Sequence, residues 1–253
     1  MNGSIEKLPA HHFSLFAFHV SRLTFTFHDK MIRELLHFVV HAPETLALSR
    51  RLLHPQLYDT LMLRAEDRGM SIQRASLLEN LHGDVLEIGC GTGLMFPYYP
   101  NEVCLAAVEL IPDFLDLAKS RARKSDARIS LFLGDGAQLP FSEQRFDFVI
   151  FGLVLCSVRS VAEVLKETRR VLKPDGEIRL VEHVRSAQPV HGAVMDALNP
   201  LWKFLNQQNC HMNRRTEALL EENGFRVTES RPFKIFSPGM PAFPMRWLRA
   251  VAK

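Results

Sequence analysis

Hydrophobic and polar positions change their period repeatedly after residue 83. The run "DVLEIG" (84–89) is short, apolar and ends at glycine, and "EVCLAAVEL" (102–110) repeats the pattern. Both predict strands. "IPDFLDLAKSRARKS" (111–125) has Pro112 near its start, acids early and bases late, the polarity a helix macrodipole favours. "RISLFLGD" (128–135) predicts a third strand, and "RFDFVIFGLVL" (145–155) contains a fourth. In "VAEVLKETRRVLKPDG" (161–176), Val161, Val164, Leu165, Val171 and Leu172 recur at helical spacing until Lys173-Pro174-Asp175-Gly176 breaks the run. "EIRLVEHV" (177–184) is a fifth strand. "RRTEALLEENGF" (214–225) reads as a helix closed by Gly224, and "RVTES" and "RWLRAVAK" as two last strands with no helix between them.

Such alternation of strand and helix predicts an α/β fold, a parallel sheet covered on both faces. Two final strands without a crossover helix should pair antiparallel. The expected sheet therefore has about seven strands, mostly parallel, with a terminal antiparallel hairpin. Residues 1–70 lie outside the pattern and look largely helical. They are expected to form an N-terminal cap on a domain spanning 71–253.

Composition adds limits. Of 253 residues, 47% are hydrophobic and 23% charged, ordinary for a globular chain, and the net charge of +3 is too weak to argue for nucleic acid. Cys90, Cys104, Cys156 and Cys210 form no CxxC pair, which suits a reducing, cytoplasmic setting. Residues 13–27, "FSLFAFHVSRLTFTF", are rich in aromatics but interrupted by His19 and Arg22. They fall short of the ~20 apolar residues a spanning helix needs, and no basic segment and cleavage site mark a signal peptide. A surface-lying or cap-forming segment is expected, with peripheral membrane contact as one use. His37 and His41 would share a helix face. No third ligand is obvious and no HExxH occurs, so no metal site is expected.

The chemistry concentrates at strand ends. Gly89-Cys90-Gly91-Thr92-Gly93 follows the first strand, where open α/β sheets bind ligands and where glycine lets the backbone turn tightly against one. Alone, such a loop also fits a turn with no ligand. Glu109 ends the second strand about 20 residues later, the place from which an acid bonds both hydroxyls of a ribose. Gly134-Asp135-Gly136 ends the third; an Asp there could meet the amine of an adenine, or simply form an Asx turn. Together the three describe a nucleoside site. Position 94 is Leu, so the spacing is GxGxG and not the dinucleotide GxGxxG, and no GxxxxGK[ST] occurs.

"VLEIGCGTG", the acid in "VELIPD", "GDGAQLPF", "RFDFVI" and "RRVLKPDGEI" resemble the class I S-adenosylmethionine-dependent methyltransferases in order, over roughly residues 83–183. That resemblance implies a Rossmann-like seven-stranded sheet and S-adenosylmethionine as cofactor. It implies that Glu87 and the backbone of Gly89, Cys90, Gly91 and Gly93 surround the methionine end. Glu109, with Leu110 beside it, would bind the ribose, and Asp135, Gly136 and Ala137 would frame the adenine. Phe151 and Gly152 would floor the cofactor near the sulfonium.

His183, after Glu182 at the end of the fifth strand, is the candidate catalytic base, with a purely structural histidine as the alternative. "GCGTGLMFPYYP", "LVEHV" and "NPLWKFLNQQNCHMNRRTEALLEENGF" look like the thiol S-methyltransferase branch and its bacterial relatives. That branch carries a Trp, a Gly-Cys and an Arg-x-Thr. Here Trp202 and Arg215-Thr216 match, while Asn209-Cys210 replaces Gly-Cys. The resemblance implies a small apolar acceptor, thiol sulfur favoured, in a pocket including Tyr58, His183, Trp202 and Cys210. Cys210 is read as pocket wall rather than nucleophile. "GDGAQLPF" also resembles quinone-biosynthetic methyltransferases, which keeps C- or O-methylation of a quinone or lipid open. A binding module that has lost methyl transfer is a third reading, disfavoured by the intact glycines, Glu109 and Asp135. No Asn-Pro-Pro-Tyr type motif follows the fourth strand, which argues against nucleic acid as acceptor.

Overall fold

A computed structural model describes residues 55–206, 209–235 and 244–253. The chain divides into two compact units, Met1–Glu44 and Thr45–Lys253, and every described residue belongs to the second. Residues 55–70 belong to this second unit. His37, His41 and residues 13–27 lie outside the described residues.

Two helices, α1 (Pro55–Ala65) and α2 (Ser71–Leu78), are joined by a one-turn π segment, Glu66–Met70. Gly69 (φ +106°) supplies the kink, a conformation that needs glycine. The sheet strands are β1 (Asp84–Ile88), β2 (Cys104–Glu109), β3 (Arg128–Leu133), β4 (Phe146–Gly152), β5 (Leu172–His183), β6 (Phe225–Lys234) and β7 (Pro244–Ala252). Their spatial order is β3-β2-β1-β4-β5-β7-β6. β1 to β5 pair in parallel; β7 is antiparallel to both β5 and β6. The expected mixed sheet with a terminal antiparallel hairpin is thus present. Strand order reverses between β1 and β4, so the carboxyl ends of these two strands flank the crevice where such sheets bind ligands.

The central strands β1, β2 and β4 are buried on both sides, and their period of two sorts the core into two layers. Val85, Leu105, Ala107, Phe148 and Ile150 face Leu77 and Leu78 of α2 and Leu115 and Ala118 of α3 (Pro112–Ala122). Leu86, Ala106, Val108, Val149 and Phe151 share the other layer with Val164 and Leu165 of α4 (Val161–Val171). The Ser160 hydroxyl caps α4 by accepting from the Glu163 amide at 3.2 Å, as the Ser-x-x-Glu spacing favours.

Three features differ from expectation. Lys173-Pro174-Asp175-Gly176 does not separate α4 from β5. Pairing with β4 jumps from Phe146–Leu172 to Phe148–Glu177, so these residues bulge out of a strand that already starts at Leu172. β6 runs on to Lys234. A helix the residue pattern did not announce, α5 (Pro189–Asn206), precedes α6 (Thr216–Glu222) and carries Pro200 within it. Among the described residues no helix is long and apolar enough to cross a membrane.

Candidate active site

The loop after β1 turns through three left-handed glycines: Gly89 (φ +69°), Gly91 (φ +57°) and Gly93 (φ +81°). They do different work. A side chain at Gly89 would collide with Val154, and one at Gly93 with the Phe96 ring. At Gly91 a Cβ would meet nothing within 4 Å, so here the bare backbone faces open space. The Gly89 and Cys90 amides are held by the Val108 carbonyl at 2.8 and 3.0 Å, which ties the loop to β2.

Glu109 is buried at the end of β2. One carboxylate oxygen accepts from the Gly91 amide at 2.8 Å and the other from the Ile111 amide at 2.9 Å. The acid is oriented by backbone on both oxygens, and each oxygen keeps lone-pair capacity for a further donor. Beside it, Leu110 (61%) and Leu133 (58%) are widely exposed, an apolar ledge at the ends of β2 and β3. Asp135 is exposed and accepts from the Ala137 amide at 2.9 Å, so the Asx turn is real and stands at the edge of this ledge. Gly136 is needed for packing: a Cβ there would strike Ile88.

At the opposite end of the crevice is a cavity of about 20 Å³, room for a single water. Tyr58, Arg74, Glu87, Thr92 and Gly152 help line it. Glu87 is buried on β1 and accepts from the Tyr99 hydroxyl at 3.0 Å. Burial pushes its carboxyl up to about 8, against the hydrogen bond from Tyr99 and the charge of Arg74. Arg74, also buried, pairs with Glu66 at 2.7 Å. Sequence reasoning missed both Arg74 and Glu66. The available signal was a cation on the face of α2 that carries Leu77 and Leu78. Tyr58 stacks edge-on to Phe114 at 5.2 Å, and burial raises its phenol to about 12. Asp59 binds both the Thr92 hydroxyl and the Arg121 guanidinium, which fastens α1 to the glycine loop. Phe151 is fully buried, and a Cβ on Gly152 would strike Met95.

A second group of side chains gathers at the ends of β4 and β5. Glu182 is fully buried and accepts from the amides of Val154 (2.7 Å), Leu155 (2.7 Å) and Cys156 (3.3 Å). It thereby fixes the loop after Gly152, where Leu153 adopts φ +65°. His183 Nε2 lies 2.8 Å from Cys210 Sγ, so the candidate base is paired with the residue read as pocket wall. Burial pulls the imidazole pKa down, and the charge and hydrogen bond of Cys210 more than reverse this. Cys210 is the more acidic of two facing thiols, helped first by a hydrogen bond from Cys156 and further by His183 and Trp202. Trp202 is buried on α5. Asn209 has φ +54°, which explains why the Gly of a Gly-Cys pair is replaceable here by Asn, the residue that best tolerates the left-handed region after glycine. Its side chain also donates to the Ser157 carbonyl at 3.0 Å.

The geometry therefore brings together Glu87, Gly89 and Gly152 at one end of the crevice and Leu110, Asp135 and Ala137 at the other, with Glu109 bonded to the Gly91 amide between them. His183, Trp202 and Cys210 cluster beyond β4, while Tyr58 lines the small cavity. The residues fit S-adenosylmethionine: open space before Gly91, an oriented acid at Glu109 and an apolar ledge ending in Asp135.

Comparison with known proteins agrees. A family model described as a methyltransferase domain matches residues 86–180. Thiol S-methyltransferase TMT1B of Rattus norvegicus is 33% identical over 183 residues, covering 68% of this chain and 74% of that protein. The chain belongs to the class I S-adenosylmethionine-dependent methyltransferases, and S-adenosylmethionine is its cofactor. Demethylmenaquinone methyltransferase of Lactobacillus johnsonii is 36% identical over 111 residues, 42% of this chain and 46% of that one. The crystal structure of YcgJ from Bacillus subtilis shares the fold at TM-score 0.59, with 17% identity over 73% of this chain and 98% of that one.

Proposed function

We propose that this methyltransferase acts on the sulfur of a small hydrophobic thiol. The observation that carries the reading is the Cys156–His183–Cys210 cluster, a polarisable group of sulfur and imidazole donors at the ends of β4 and β5. The similarity to a protein named as a thiol S-methyltransferase supports it. When bound, S-adenosylmethionine supplies a methyl carbon already made electrophilic by its sulfonium. What remains for the protein is to align the acceptor with the carbon–sulfur bond and exclude water.

Residue roles follow from charge and position. Arg74 pairs with the cofactor's carboxylate, and Glu87, which holds a proton in the free protein, gives it up to pair with the ammonium, both at the buried end of the crevice. Glu109 takes the ribose hydroxyls with the lone pairs its two backbone donors leave. Leu110, Leu133 and Ala137 provide the flat apolar contact for adenine, and Asp135 its amine partner. Gly152 floors the methyl-transfer position. His183 acts with Cys210 as one unit, with Trp202 walling the pocket.

The test is a panel of thiols, phenols and quinols with radiolabelled S-adenosylmethionine. Label should pass to alkyl or aryl thiols and give thioethers. Transfer only to phenols or quinols would replace this reading with the quinone one, which the demethylmenaquinone relative also favours.

A further inference from the structure

Cys156 Sγ, His183 Nε2 and Cys210 Sγ all lie within 4.8 Å of one another, the one such grouping among the described residues. We propose that these three side chains bind a single zinc ion and leave its fourth position open to the acceptor's sulfur. The site itself stands on this geometry; the role of its open position rests on the thiol reading above.

The donor set is the first argument. Two sulfurs and one imidazole nitrogen suit zinc, and three protein ligands with a free position are the catalytic rather than the structural arrangement. Spacing is the second. Tetrahedral zinc, with bonds of about 2.3 Å to sulfur and about 2.0 Å to nitrogen, holds its ligand atoms roughly 3.5–3.8 Å apart. The His183–Cys210 pair at 2.8 Å needs to open by less than ~1 Å, within reach of side-chain rotation.

The third argument is the scaffold. The ligands come from the loop after β4, the end of β5 and the segment between α5 and α6. Their backbones are braced together. The His211 amide donates to the Cys156 carbonyl at 2.8 Å, and the Glu182 carboxylate accepts from the Cys156 amide. Asn209 donates to the Ser157 carbonyl, and Arg214 to those of Leu155 and Val158. The two cysteines are thus presented toward each other by loops that are tied at several points. Charge is the fourth: two thiolates and a neutral imidazole cancel the ion's charge, which lowers the cost of burying it.

A thiol entering the fourth position loses its S–H proton to solvent and stays as a metal-bound thiolate. Its sulfur forms a bond to the methyl carbon. The carbon–sulfonium bond breaks, and its electron pair remains on the cofactor's sulfur. The thioether formed carries no charge, is a weaker metal ligand and leaves.

The experiment uses the full chain, purified under reducing conditions, stripped with a chelator and titrated with Co²⁺ as a spectroscopic substitute. One equivalent should bind, with a sulfur-to-cobalt charge-transfer band in the near ultraviolet. Cys156→Ser and Cys210→Ser should each weaken binding by more than roughly 100-fold, while Cys104→Ser leaves it unchanged. Circular dichroism and S-adenosylmethionine calorimetry check that each variant is folded; should Cys156→Ser not fold, His183→Asn replaces it. Absence of saturable binding, a band of unchanged intensity and affinity in the cysteine variants, or a Cys156–Cys210 disulfide in place of two free thiols would overturn the site. An alkyl thiol, but not a phenol, should then shift the visible cobalt bands. A metal site that binds through these cysteines yet ignores thiols would overturn the open-position role while leaving the site, and the acceptor panel separately judges the thiol reading.

Discussion

Glu87 makes stability depend on pH in a direction opposite to that of most carboxylates. Its side chain is buried on β1, and burial raises its pKa from 4.5 to about 8. Below pH 4.5 both the folded and unfolded chains hold the proton, and Glu87 costs nothing. Between about 4.5 and 8 the unfolded chain releases the proton while the folded chain keeps it, so stability falls as pH rises. The slope is about 1.4 kcal/mol per pH unit, and across the window the loss is on the order of 5 kcal/mol. Glu87→Gln keeps a carbonyl oxygen for the Tyr99 hydroxyl, now 3.0 Å from the acid, and does not titrate. Urea unfolding of both proteins at pH 5, 6, 7 and 8 isolates this group from all others. The variant should gain on the parent steadily with pH, by more than ~2 kcal/mol between pH 5 and 8. A difference that stays flat across this range would refute the reasoning, because it would mean that Glu87 is ionised in the folded protein.

Other expectations concern the cofactor end. Glu109→Ala removes the acceptor of two backbone amides, at about 1 kcal/mol each with water able to reach Ile111, so thermal unfolding should start several degrees lower. The same change should weaken S-adenosylmethionine by roughly 10- to 100-fold in calorimetry. Gly91→Ala should cost about 1–2 kcal/mol from its left-handed φ and hit cofactor affinity harder than stability, since its methyl enters the open space before the loop. Asn209→Ala should lose about 1–2 kcal/mol by chemical denaturation, and Asn209→Gly should recover part of that by relieving backbone strain.

Much of this was legible in the chain because the central strands are buried on both faces. Runs such as "DVLEI" and "FDFVIF" are then mostly apolar, and each leads into a glycine of the crevice, Gly89 or Gly152. Glu109 and Asp135 could be read because position at a strand end sets what a side chain can reach. α5 was not legible: Gly192 and Pro200 argue locally against a helix, and tertiary packing of Met195 and Trp202 overrides them. Arg74 and Glu66, eight residues apart, stayed hidden because they meet only across the kink at Gly69. Arg74 reaches the crevice only when α2 folds against the sheet, and Tyr98 adds a hydrogen bond to Glu66 at 3.3 Å. The pairing of His183 with Cys210, 27 residues on, likewise exists only once the segment after α5 closes on the end of β5.

The most direct test of the account is a competition in one vessel. The enzyme is given labelled S-adenosylmethionine with equal amounts of an alkyl thiol and a quinol of matched hydrophobicity, and the methylated products are separated by mass spectrometry. The account predicts the thioether as the dominant product, and its loss in Glu109→Ala at limiting cofactor. Methylated quinol without thioether would contradict it.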